Sequence, residues 1–266
     1  LIKNHKWDVY FRSERFKFLY IYRIREVMQM ITLKENKDRR NEMLSARRIL
    51  AISPHPDDSE IIAGGFLFKA VNGSASVRLL VVTDGAKGTR KKGENLAEKR
   101  KMEQLKSAGI LGIGDVKFLG IGDTYTPSPR QLLDLLLPEM RDFSPDLVIT
   151  NDPFLRYEVH PDHINVGLAV MQSVLFFEFP NIGNGEVKSK APSLALSPSD
   201  EPNVFINIDN EFEVKLNALK EHRSQNLDLN WITDLSKYYG KYANSVHAEA
   251  FRYLYPHELH LSIHHE

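Results

Sequence analysis

Residues 49–62 read Ile49-Leu50-Ala51-Ile52-Ser53-Pro54-His55-Pro56-Asp57-Asp58-Ser59-Glu60-Ile61-Ile62, and the architecture follows from them. The unbroken apolar run at 49–52 marks a strand covered on both faces, because a strand with one wet face alternates. From Glu60 the apolar residues Ile61, Ile62, Phe66, Leu67 and Ala70 fall at helical spacing, and Asn72-Gly73 ends that helix at about Val71. The turn between them holds an imidazole and two carboxylates but no glycine. It therefore lacks the close backbone approach that a dinucleotide pyrophosphate requires.

Working outward, the same rhythm repeats. Strands are expected at 77–83, 116–119, 147–150 and 204–208, and helices at 94–111, 130–141 (interrupted at Pro138), 164–175 and 211–222. Strands separated by helices of this length imply right-handed βαβ crossovers. The fold class is α/β, Rossmann-like, with a mostly parallel sheet, helices on both faces and an N-terminal helical arm. Residues 176–202, rich in proline and glycine, read as a long irregular excursion. Residues 1–46 form the arm and a charged connector, and 47–266 the main domain. In the arm, Phe11, Phe16, Leu19, Tyr20, Tyr22, Ile24, Val27 and Met30 give an amphipathic helix, which suits packing on its own domain or a homo-oligomer contact through the arm, an interfacial membrane helix being the alternative.

Composition narrows the function. The 266 residues are 42% hydrophobic and 26% charged, which excludes a disordered or collagenous chain. Lys plus Arg equals Asp plus Glu at 35 each, so the overall field gives no reason to expect a nucleic-acid partner. With no cysteine, thiolate zinc sites, iron–sulfur clusters and cysteine nucleophiles all disappear, and any metal must use histidine and carboxylate. No apolar run reaches the ~18 residues of a membrane span, and Lys3, His5, Lys6 and Asp8 stand where a signal peptide would place its apolar core; a cytoplasmic protein is expected.

A second cluster, His160-Pro161-Asp162-His163, follows the strand at 147–150. Each His-Pro pair alone is commonplace, and Asp57-Asp58 could simply cap a helix. Two such clusters at strand-to-helix turns of one sheet are another matter, since ligands of open parallel sheets sit beyond the C-terminal strand ends. His55, Asp58 and one histidine of the second cluster make a two-histidine, one-carboxylate set with a position left for water. Ferrous iron takes the same donors, so they do not by themselves select zinc. Asp57 and the other histidine remain to hold the ligands in place or to do acid–base work.

Pro54-His55-Pro56-Asp57-Asp58 and His160-Pro161-Asp162-His163 together resemble the signatures of the PIG-L/LmbE family of zinc-dependent N-acetylglucosaminide deacetylases. The likeness continues at Thr83-Asp84-Gly85, Arg100-Lys101-Met102-Glu103, Phe118-Leu119-Gly120 with Asp123, and Lys215 through His222-Arg223-Ser224-Gln225, over about residues 47–225. It implies a zinc ion held by His55, Asp58 and His163, with Asp57 as general base. His160 would stabilise the oxyanion or act as acid, with Asp162 orienting it. Arg100 and Asp123 would contact the sugar. Val159 stands where some relatives carry arginine, a place Arg156 or Tyr157 would take. The implied substrate is a small amino-sugar glycoside or disaccharide. An amidase on a larger acyl or thiol-conjugate substrate, and a binding module without turnover, are the alternatives.

Overall fold

A computed structural model describes residues 36–260; the amphipathic helix expected in the arm, and the oligomer contact expected through it, lie outside the described residues. The elements run α1 (Lys37–Ser45), β1 (Arg48–Ser53), α2 (Asp58–Asn72), β2 (Ser76–Thr83), α3 (Ala97–Ile110), β3 (Asp115–Ile121), α4 (Pro129–Phe143), β4 (Leu147–Thr150) and α5 (Pro161–Leu175). After these come β5 (Ser193–Leu196), β6 (Val204–Asn207), α6 (Phe212–Leu219), α7 (Leu229–Ala243), β7 (Ala248–Leu254) and a 3-10 turn at Pro256–Leu259. They build one seven-stranded sheet in the order β3-β2-β1-β4-β5-β7-β6. Its first five strands are mutually parallel, and β7 runs antiparallel to both β5 and β6.

The double burial expected of residues 49–52 is present. Ile49 and Ala51 point into a core shared with Ile62, Phe66 and Leu67 of α2, while Leu50 and Ile52 point into a second core with Leu133 and Leu136 of α4 and Val166 and Val170 of α5. Helices therefore cover both faces of the parallel strands. No helix among the described residues is long and apolar enough to cross a membrane.

Two expectations need correction. The helix expected to break at Pro138 runs through it as α4, because Leu132, Leu133, Leu136, Leu137 and Met140 are all buried along one stripe. Pro138 itself is half-exposed, so the carbonyl it leaves unbonded stays near water. The excursion at 176–202 contains β5, a fully paired strand lying between β4 and β7. The connector ahead of β1 forms α1, capped by the Asn36 side chain, with Met43 in the core and Arg39 paired to Glu258 at 2.7 Å.

Candidate active site

β1 lies between β2 and β4, so the crossovers on its two sides leave in opposite directions and a crevice opens beyond the C-terminal ends of β1 and β4. The loop after β1 carries His55, Asp57 and Asp58. The loop after β4 carries Glu158 and leads into His160, which caps the N-terminus of α5, with Pro161 in the first turn where its missing N–H costs nothing.

Three ring and carboxylate atoms converge between these loops. His55 Nδ1 is 3.3 Å from Asp58 Oδ2, His163 Nε2 is 3.3 Å from His55 Nδ1, and His163 Nε2 is 3.6 Å from Asp58 Oδ2. The other nitrogen of each ring meets a carboxylate. His55 Nε2 lies 3.1 Å from Asp162 and 3.3 Å from Asp123, and His163 Nδ1 lies 3.0 Å from Glu158. In each neutral ring the proton belongs on the nitrogen that faces the carboxylate, which turns a lone pair of the other nitrogen toward Asp58. Two imidazole nitrogens and a carboxylate oxygen crowded this closely fit a divalent cation. A second grouping, His55 with Asp123, His160 and Asp162, also clusters. There Asp162 is already filled by the Thr124 N–H at 2.8 Å and the Thr126 hydroxyl at 2.6 Å, so it serves His55 rather than a metal.

The electrostatics agree. Burial lowers the His55 pKa, but hydrogen bonds to Asp123, Asp162 and Asp58 override it and push the ring up to about 11, a measure of how strongly this spot favours positive charge. Burial raises Asp58, and the charge of His163 with the hydrogen bonds of His55 more than reverses that, holding it below the usual carboxylate range. Asp57 next door goes the other way. Its burial, against the opposing charge of Arg100 and helped by Asp58, pushes it up to about 7, suited to taking and releasing a proton near neutrality. Burial and the charges of His55 and His163 lower His160, so its ring is neutral near pH 7. Its Nδ1 accepts from the Asp162 N–H at 3.3 Å, which places the ring proton on Nε2 as a donor.

These groups line a cleft of about 320 Å³ shared with Lys87, Thr124 and Gln225. Of the residues expected to touch sugar, Arg100 and Asp123 line it and Tyr157 does not; Tyr157 is 88% exposed at positive φ on the loop outside. Arg100 is only 3% exposed. Its guanidinium lies 3.2 Å from Asp57 and donates to the carbonyls of Pro56 and Gly85. Asp123 accepts from the Lys87 N–H at 2.8 Å beside His55. Asp162, expected to orient His160, instead turns its carboxylate to His55 and the 124–126 turn. Glu158 was not singled out by sequence reasoning. It holds His163 Nδ1 and accepts from the His160 N–H at 2.7 Å, and its only signal was a carboxylate five residues ahead of a ligand candidate.

Comparison with known proteins points the same way. Residues 50–174 match the PIG-L family, described as GlcNAc-PI de-N-acetylase. The chain is similar to diacetylchitobiose deacetylase of Thermococcus kodakarensis, at 32% identity covering 78% of this chain and 83% of that protein. It is also similar to a probable N-acetyl-alpha-D-glucosaminyl L-malate deacetylase 2 of Bacillus cereus, at 30% identity covering 67% and 84% respectively. Among solved structures, N,N'-diacetylchitobiose deacetylase from Pyrococcus horikoshii superposes with a TM-score of 0.79 at 31% identity, covering 84% of this chain and 89% of that one. With both histidine clusters on the strand ends of this sheet and likeness over most of each partner's length, the chain belongs to the PIG-L family of LmbE-type deacetylases.

Proposed function

We propose that this protein hydrolyses the acetamide of an N-acetylglucosamine unit in a small glycoside or disaccharide, releasing acetate and a free amine, with zinc as its metal. The observation that carries the reading is the convergence of His55, His163 and Asp58 in an open cleft, beside a fourth group, Asp57, whose burial keeps it near neutrality. The diacetylchitobiose and glucosaminyl-malate deacetylases among its relatives support the substrate class.

His55, Asp58 and His163 would hold the ion. When bound, it supplies an acidified water and polarises the acyl oxygen. Asp57 takes the proton of the attacking water and returns it to the amine nitrogen as the carbon–nitrogen bond breaks. Arg100 keeps that carboxylate in place. The Nε2–H of neutral His160 donates to the oxygen that gains charge, an interaction whose loss costs on the order of 10²–10³ in rate. Asp162 and Glu158 hold the two ligand rings, and Asp123 with Arg100 reads the sugar from the cleft wall.

Amine release from N,N'-diacetylchitobiose and N-acetylglucosamine, with and without chelator, tests this. Chelation should abolish release, and zinc should restore it better than ferrous iron. Full turnover after metal removal, or faster release of longer acyl groups than of acetyl, would overturn the assignment.

A further inference from the structure

The inward face of α3 is unusual: where a helix on a sheet normally buries an apolar stripe, this one buries, with Glu103 and Ala108, the polar residues Arg100, Gln104 and Ser107, spaced i, i+4 and i+7. All three reach toward the start of α2. Arg100 donates to the Pro56 carbonyl, the Gln104 side-chain oxygen accepts from the Asp57 N–H at 3.0 Å, and Ser107 donates to Glu60 at 2.9 Å. Asp57 has φ 111° and ψ −29°, a conformation that residues other than glycine rarely adopt and that persists only where the surroundings over-determine it. Its N–H is buried, precedes the helix and has no backbone acceptor, so without Gln104 it would be orphaned.

Which way the Gln104 amide faces is itself fixed. Its Nε2 donates to Glu60 Oε1 at 2.6 Å. A flipped amide would set NH₂ against the Asp57 N–H and oxygen against the Glu60 carboxylate, a mismatch at both ends. Glu60 in turn is fully buried, and its second oxygen has no hydrogen bond but faces His222 Nε2 at 3.7 Å. His222 is 1% exposed, with both ring nitrogens lacking hydrogen-bond partners; burial lowers its pKa and Glu60 more than offsets that. The chain His222, Glu60, Gln104, Asp57 thus runs from a buried histidine facing a buried carboxyl group to the backbone of the residue beside a proposed metal ligand.

We propose that Gln104 is a positioning residue that holds Asp57 in its left-handed backbone conformation, with Glu60 and His222 behind it setting the orientation of the Gln104 amide. This rests on the reading of Asp57 as the general base. Gln104 touches no substrate; it acts by keeping the Asp57 carboxylate against Arg100 at the cleft wall. A displacement of such a group by about 1 Å is enough to cost roughly 10²-fold in rate.

The test uses the full chain with Gln104→Met, which keeps the length of the side chain and removes both hydrogen bonds. With zinc loaded and N,N'-diacetylchitobiose as substrate, kcat should fall about 10²-fold while KM and zinc stoichiometry stay put. In an Asp57→Asn background the same substitution should cause no further loss. Independently of activity, hydrogen exchange at the Asp57 amide in the metal-free protein should change from slow to fast, with the Leu67 amide, further along α2, unaffected. Unchanged exchange at Asp57, or an equal fold-loss in both backgrounds, would overturn the proposal. Should Gln104→Met not fold, Gln104→Asn, the same amide one methylene short, is read by the same measurements. If the unsubstituted protein releases no amine from either sugar, the functional reading fails, and the exchange result still decides the role of Gln104.

Discussion

Asp57 carries two burdens at one residue, a positive φ and a carboxylate taken out of water. The second has a thermodynamic sign. Its folded pKa, raised to about 7 by burial, lies above the unfolded value, so the fold favours the neutral acid; that stabilisation is complete below about pH 4 and is lost as pH rises through 7. Asp57→Asn is neutral at every pH. In chelator, thermal unfolding should show the variant gaining on the parent between pH 5 and pH 8, and without chelator its zinc content should be kept and its turnover cut to a small residual rate; a constant difference across that pH range would place the shift elsewhere. Glu158 offers the converse case. It fixes the ring of His163, and partners of this kind typically support metal affinity by 10–100-fold. Glu158→Gln should accordingly weaken zinc binding by about that factor in competition with a chromophoric chelator, with full turnover regained at saturating zinc. His55, Asp58, His163, Asp57 and His160 were legible as residues because each carries chemistry in its own side chain within a short, dense motif. Glu158, Gln104 and Glu60 were not, because a lone carboxylate or amide acquires its role only from what folding brings to it, as Gln104 meets Asp57 across 47 positions of chain.

At the scale of elements, the glycines in helices separate into two kinds. A Cβ on Gly167 in α5 would sit 2.8 Å from the Asn151 carbonyl and 2.9 Å from Pro153, so the helix and the loop that carries Glu158 and His160 touch backbone to backbone. Gly109 in α3 has open space. Alanine gains up to about 1 kcal/mol over glycine in a helix, whereas overpacking costs about 1–3 kcal/mol. Gly109→Ala should therefore stabilise by about 0.5–1 kcal/mol, and Gly167→Ala should destabilise and also lower kcat, as denaturant titration and initial rates will read. The elements themselves were legible where both faces of a strand are covered, as in 48–53 and 76–83, which hold continuous apolar runs at 49–52 and 79–82. β5 escaped notice because four residues between Pro192 and Pro198 read as loop. β7 escaped because Glu249 breaks its pattern. That carboxylate is nevertheless buried, paired with Lys215 at 2.6 Å and accepting from the N–H groups of Gly65 and Phe66, a partnership that spacing cannot reveal.

For the whole molecule, the sheet keeps its chemistry at the β1–β4 junction and its antiparallel strands at the far edge, where sequence rhythm was weakest. Between the edges, α1 ties the beginning of the described chain to its end. Met43 is 1% exposed in the core, and Arg39 grips Glu258 through both guanidinium nitrogens at 2.7 and 2.8 Å while lying over the Tyr255 ring. A chain shortened to begin at residue 47 loses all of this. Burial of a methionine alone is worth about 1.5–3 kcal/mol, so its melting temperature should drop by several degrees, by calorimetry, with zinc stoichiometry intact. The Arg39–Glu258 fork has a topological consequence as well. Since the side chains of Arg39 and Glu258 meet, a bridge of a few residues could splice the ends that lead into them, and the polypeptide could be reopened at an exposed turn such as Gly93, yielding a circular permutant that visits the same layers in rotated order.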